Sequence, residues 1–531
     1  MNMNGPMGPV RRGSTSASRI ALAVTWSFVI LLMVNALWFV LRASSPVIQA
    51  DAWYYLDVFV RKAIDGRLQI TDFFVKRSAD DHALPLFKLI LLFEWRYFDL
   101  DYVVEAVFGV LATIACALIF YAVLMRHWPR NTGNGVPLLA WIAICALLFS
   151  LGSVGVWVWP LVALENITIL VILFFMLAVW HAHRSQHYLP LVVAILVLGI
   201  SSDDSAIIAV IATLMSVLLA LRADPEQRVF SAWRIIAIVI GFEVLVRIGY
   251  AHIPGAPVAS AHASTPLVSV LVERFKQGGW WQWILLPLVL PVYYQSPLKT
   301  SQADVWFAVQ AIMGVLLLAA HVFFWRRALR GRYNLPVFMA VCMMLLSYGW
   351  LAGIILWRVS ASGNDYLEQP RYVMLYAEQL IALLLMWAGS QELGFEAVTT
   401  RRRPVIWWQT MRTWGPVVGA LLLLLAQVPQ SIHAWRMPKY EWAYYAKQAA
   451  EIDALARDPV HTKDCDLVNP VCGESPKIRR ELTQLLSANR LNIYSPRMRR
   501  WHSYLPTPTQ VPAEPVSSVD KAGSDGNDHA D

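Results

Sequence analysis

The chain has 531 residues, of which 57% are hydrophobic and only 15% charged, with a mean hydropathy of +0.48. The apolar residues come in unbroken runs of about 18–25, the length that crosses a bilayer as a helix, which excludes an ordinary soluble fold and a barrel of alternating strands. The formal charge of +8 carries no nucleic-acid inference, because basic residues of a membrane protein collect in its cytoplasmic loops.

Residues 1–19 form a basic tail with Arg11, Arg12 and Arg19. The first run, Ile20 to Leu41, resembles a signal peptide but is too long and lacks a small-x-small cleavage site, so it reads as an uncleaved anchor. Eleven spans are predicted, at about 20–42, 104–125, 137–156, 166–183, 188–201, 205–222, 234–250, 304–325, 335–357, 371–392 and 408–428. The pair 188–201 and 205–222 either crosses twice or forms a re-entrant hairpin around Ser201-Ser202-Asp203-Asp204. Residues 281–295 are too short and Pro-rich to span and read as interfacial. Every second loop is basic, with Arg126/Arg130, Arg184, Arg222/Arg228, Arg326/Arg327 and Arg401/Arg402/Arg403 on the side of the N-terminus. That side is therefore cytoplasmic, and loop 43–103 and the C-terminal tail lie outside.

Loop 43–103 is dense in charge between two apolar spans. From Ala52 the apolar positions 52, 55, 56, 59, 60, 63 and 64 trace one face of a helix, which Gly66 ends. Such a helix is expected to lie along the membrane surface. Asp51 stands just before it, either as an N-cap or as a carboxylate held for chemistry. Residues 84–98 form a second apolar helix carrying Lys88, Glu94 and Arg96, preceded by Asp80-Asp81-His82. That triplet is either a capped turn or a polar cluster facing Asp51.

The domain boundaries follow: transmembrane domain 20–429, a small external cap over 430–504, and a tail over 505–531 whose Pro, Ser, Asp and Gly content predicts disorder. Cys465 and Cys472 in CDLVNPVC would close a small disulfide loop in an oxidising compartment, or stand as two separate thiols. A zinc site with His461 lacks an evident fourth ligand. No Walker A or dinucleotide-binding glycine pattern is present.

Cations near the external membrane face are the candidates for binding a phosphate. They are Arg371 with Tyr372 at the mouth of the tenth span, Arg358 at the end of the ninth, and Lys88. Asp57, Asp81 and Glu165 are candidates to line the same cleft.

The stretch Ala50-Asp51-Ala52-Trp53-Tyr54-Tyr55, followed by His82-Ala83-Leu84-Pro85-Leu86-Phe87-Lys88, resembles the GT-C superfamily of integral-membrane glycosyltransferases. The second element is similar to the His/Pro/Leu/Lys element of protein mannosyltransferases and aminoarabinose transferases, without their double Pro and the Gly before Lys. The resemblance implies two membrane-parallel helices in the first external loop and a polyprenyl-phosphate sugar as donor. It implies Asp51 as general base, or as ligand of a divalent metal, with His82 beside it. Arg371, Tyr372, Lys88 and Arg358 would then hold the donor phosphate. The acceptor would be an envelope glycan, a lipid or a protein outside a bacterial inner membrane. Two competing readings are a transporter or flippase, for which the few charges inside spans, mainly Glu243 and Arg247 with Glu378, would serve, and a polysaccharide polymerase or ligase.

Overall fold

The computed structural model describes residues 16–76, 83–126, 135–159, 161–201, 204–223, 229–253, 267–276, 278–294, 303–360, 363–397, 406–437, 441–460, 471 and 474–509. Among these residues the chain is helical, without a strand, as expected where lipid leaves backbone groups only each other to bond.

In chain order, α1 is Ser16–Ala43, α2 covers 52–64, α3 is Pro85–Phe98, α4 is Val103–Met125, α5 is Gly135–Leu148 and α6 is Val154–Val158. Next come α7 Glu165–Ser185, α8 Leu189–Ser201, α9 Asp204–Ala223, α10 Val229–Ala251, α11 Leu267–Lys276 and α12 Gln282–Val289. Then follow α13 Ala303–Arg330, α14 Leu335–Gly353, α15 Pro370–Ala397 and α16 Ile406–Trp435. The C-terminal helices are α17 Trp442–Arg457, α18 Pro476–Ala488 and α19 Pro496–Trp501.

Nine stretches among the described residues are long and apolar enough to cross a membrane: α1, α4, α5 with α6, α7, α9, α13, α14, α15 and α16. The protein is thus a polytopic membrane protein. Two predicted spans fall outside this set. Leu189–Ser201 has only 13 residues, and α10 carries Arg234, Glu243 and Arg247 along 23 residues. The bundle core holds Trp141, Phe175, Phe338 and Cys342, while α1 and α13 point Val24, Trp38, Ile312 and Val315 outward. Such an exposed apolar belt is stable when lipid covers it.

The loops collect at one end of the bundle. Ser44 Oγ donates to Trp157 O at 2.9 Å, and the Ser45 amide donates to Val158 O at 3.2 Å. Phe74 packs edge-on to Tyr250 at 5.8 Å, and the Tyr250 hydroxyl donates to Ile200 O at 3.1 Å. Trp281 meets Phe307 at 5.6 Å, and the Tyr294 hydroxyl reaches Glu368 O at 2.8 Å.

At this end loop and tail share a second hydrophobic core. Ala52, Trp53, Tyr55, Leu56, Phe59 and Val60 of α2 are buried with Phe87 and Leu91 of α3 and with Ile452, Leu482, Leu486 and Met498 of the cap. The helical stripe predicted from Ala52 is therefore present, and Gly66 at φ +67° ends it. Its apolar face does not rest on the membrane surface, however, because protein covers it. The middle turn of α2, Leu56–Val60, is a π-turn, which a strict 3.6-residue period would not reveal.

The C-terminal boundary also moves. Leu505 is buried, and Thr509 donates from its amide to both Asp453 carboxylate oxygens at 3.1 and 3.2 Å. The folded cap therefore runs on to at least Thr509, past the predicted limit at 504.

Candidate functional site

The segment leading to Asp51 is held from three directions. Gln49 Nε2 donates to Ser45 Oγ and to Gln448 Oε1, each at 2.7 Å. Asn492, fully buried, accepts from the Ile48 amide at 3.2 Å. It donates to Pro46 O at 3.0 Å and to Leu100 O at 2.6 Å. Its own amide donates to Asp99 O at 2.7 Å. One asparagine of the cap thus ties the entry to α2 to the exit of α3. Ala50 then adopts φ +44°, a left-handed conformation that costs an alanine about 1 kcal/mol and persists only where surroundings impose it. Asp51 follows, half-buried, and makes no side-chain capping bond to α2. The N-cap reading is therefore not what the structure shows.

Lys88 has a different task from the one predicted. It is 2% exposed, and its ammonium donates to three carbonyls: Asp72 O at 3.0 Å, Phe73 O at 3.1 Å and Val75 O at 2.6 Å. A lysine has three donors, so none remains for a phosphate. The rings of Tyr55 and Phe59 stand 6.0 and 5.9 Å away, and burial pushes its pKa down to about 8. Lys88 is a staple for the turn 70–75. Asp57 likewise pairs with Arg61 at 2.8 Å, and Arg61 reaches Glu481 of the cap at 3.2 Å.

Arg371 begins α15. Its Nη2 donates to the Tyr366 hydroxyl at 2.6 Å, and its guanidinium stacks 5.6 Å from the Tyr366 ring and 5.0 Å from that of Tyr372. Its Nε is buried with no hydrogen-bond partner among the described residues. Arg358 is exposed and close enough to Tyr372 to act on its hydroxyl electrostatically. The turn before Arg371 is braced by Trp283 Nε1 donating to Asn364 Oδ1 at 2.8 Å, and by Asn364 Nδ2 donating to Gln282 Oε1 at 2.8 Å.

Helix α6 links the two groups. One side receives Ser44 and Ser45, as described. On the other, a Cβ added to Gly155 would lie 3.5 Å from Pro370 Cβ and 3.7 Å from the Arg371 amide. Asp51 and Arg371 therefore stand on segments that flank the same short helix. Glu165 opens α7, exposed, near enough to Glu378 to interact with it. Asp81, His82, Cys465 and Cys472 lie outside the described residues, so their expected roles have no structural counterpart here. Among the described residues no group of three or more His, Cys, Asp or Glu side chains is arranged for a metal ion.

The structure also brings together ionisable groups whose pairing the sequence does not reveal. Glu94 of α3 and Glu105 of α4 are both fully buried, with their carboxyls against each other. Glu105 Oε2 accepts from the Leu161 amide at 2.5 Å. Burial, then the charges of Glu105 and Asp101, hold the Glu94 carboxyl well above its ordinary range, which favours its neutral form. Burial also raises the Tyr102 hydroxyl beside them. Asp101 completes the joint by pairing with His502 of the cap at 2.8 Å. Glu94 had a sequence signal, since it falls on the same stripe as Phe87, Ile90 and Leu91. Asn492 had none. Inside the bundle, Glu378 borders a cavity of about 10 Å³, room for one water, with Thr113, Cys116 and Asn166. Neither of its carboxylate oxygens has a partner among the described residues.

No family model matches the chain, and no curated protein matches it in sequence.

Proposed function

We propose that the protein is a glycosyltransferase of a bacterial inner membrane. It moves a sugar from a polyprenyl phosphate to an acceptor on the outer face. Its helices cross eleven times, α8 and α10 included, with the N-terminus inside and the cap outside. The observation that carries this reading is the placement of Asp51 and Arg371 on segments flanking α6 at the loop end of the bundle. Asp51 takes the proton from the acceptor hydroxyl as that oxygen bonds to the anomeric carbon. The bond from the anomeric carbon to the phosphate oxygen breaks, and the negative charge passes to the leaving lipid phosphate. Arg371, whose Nε has no hydrogen-bond partner among the described residues, and exposed Arg358 receive that phosphate, with Tyr372 beside them. His82 and Asp81 are further candidates to act with Asp51.

A second reading, a proton-linked transporter, draws on Glu378, whose buried carboxyl lies within α15 beside a water-sized cavity. One pair of variants separates the two. Asp51→Asn is expected to abolish sugar transfer to the envelope while expression and thermal stability stay normal, with Glu378→Gln retaining transfer. Full transfer in Asp51→Asn overturns the base assignment.

A further inference from the structure

Helix α3 buries one face and leaves another open. Phe87, Ile90, Leu91 and Glu94 point into the loop core, whereas Leu89, Phe93 and Tyr97 are 54%, 40% and 57% exposed. The three lie four residues apart, on a single stripe. Phe93 packs 5.9 Å from Phe108, which sits in the second turn of the membrane-spanning helix α4. The stripe therefore starts at the depth where α4 is already among apolar chains, and it continues the outward side of α4, where Leu111 is 55% exposed.

The other end of the stripe meets the cap. Phe98 packs on Trp501 at 6.0 Å, and Trp501 is itself 56% exposed. Arg96 precedes Phe98 by two residues, and Arg497, Arg499 and Arg500 share α19 with Trp501. Arg497 donates to Tyr97 O, closing the end of α3, and Arg499 reaches Ser495 O at 3.4 Å. None of the four forms an ion pair among the described residues; the nearby Asp99 is engaged by Ser495 Oγ at 2.7 Å, and Asp101 by His502. The surface is thus apolar at one end, aromatic in the middle and cationic at the other, which is the order of a bilayer read from its core to its phosphates.

We propose that this face, formed by Leu89, Phe93, Arg96 and Tyr97 of α3 with Arg500 and Trp501 of α19, seats in the bilayer interface and binds the phosphate of an anionic phospholipid. The occupant follows from the continuity with α4 and from the unpaired positive charge. The consequence is that the cap, which holds the Asp51 segment through Asn492 and Gln448, is itself fastened to lipid through α19. The inference does not depend on the reaction catalysed.

The test places the full chain in nanodiscs of phosphatidylcholine alone and of phosphatidylcholine with phosphatidylglycerol, and follows hydrogen exchange over residues 494–505. The anionic lipid is expected to slow exchange several-fold. High salt, or the double substitution Arg96→Gln with Arg500→Gln, is expected to remove that difference. Both arginines are exposed, so the variant should keep the parent's thermal transition. Equal exchange in the two lipids, or protection that survives in the double variant, overturns the proposal. Protection seen only in discs holding two copies overturns it as well, because the face then belongs to a dimer.

Discussion

Replacing Asn492 by Ala removes one side chain that joins three strands of chain. It deletes the bonds to the Ile48 amide, Pro46 O and Leu100 O, all inside the protein. A buried hydrogen bond contributes about 1 kcal/mol net, and groups left unpaired cost about 1–3 kcal/mol each when water cannot reach them. Asn492 also sits at φ +50°, a conformation that asparagine tolerates better than alanine. Together these amount to about 3–5 kcal/mol, placed at the joint between cap and loop rather than spread over the bundle. If the cap opens locally, its amides should exchange about two to four orders of magnitude faster in Asn492→Ala. Hydrogen exchange read over residues 44–56 and 442–505, with the spanning helices as an internal standard, measures this directly. Asn492→Asp keeps the acceptor for Ile48 but sets a carboxylate against two carbonyls, so it should open at neutral pH and partly recover in acid. Exchange within a few-fold of the parent in both regions would refute the claim that this residue fastens the cap.

Two further outcomes are expected. The Glu94 carboxyl titrates well above its ordinary 4.5, so the stability of its joint is fully present below that pH and is lost as pH rises through the higher folded value. Glu94→Gln, neutral throughout, should flatten this decline in a series of thermal transitions from acid to neutral pH; an unchanged slope refutes the raised titration of Glu94. Lys88→Met keeps the length of the side chain but leaves Asp72 O, Phe73 O and Val75 O without their donor, and should cost about 3 kcal/mol. Limited proteolysis between residues 66 and 76 should become much faster, and an unchanged cleavage rate would show that the staple is dispensable.

Much of the architecture could be read from the chain itself. Runs of apolar residues announce spans because a helix in lipid must be apolar along its whole length, and only Leu189–Ser201 and α10 fall outside the nine that length and composition support. The stripe from Ala52, the glycine that ends it and the helical cap were legible for a similar reason, since local periodicity reports which side of a helix leaves water. What covers that side was not legible. An apolar stripe reads alike whether lipid or protein lies against it, and here α3 and the cap do.

The roles of single polar residues divide in the same way. Arg371 and Tyr372 stand out in the sequence by their position at a span entrance, and the structure adds the Tyr366 hydroxyl and the contact with α6. Lys88 was expected to meet a phosphate because it is a cation near the membrane face. Its ammonium is instead enclosed by carbonyls from a turn more than ten residues earlier. Asn492 and Asp101 find their partners, in residues 46–48 and in His502, about 400 residues away along the chain. The sequence by itself determined which segments are long and apolar enough to cross a membrane, because that depends on the sum of many side chains within one stretch. The tertiary structure alone decided which carboxylates are buried together, which lysine is a staple and which asparagine locks the loop. Each of those roles depends on a single distance between segments that only folding brings together.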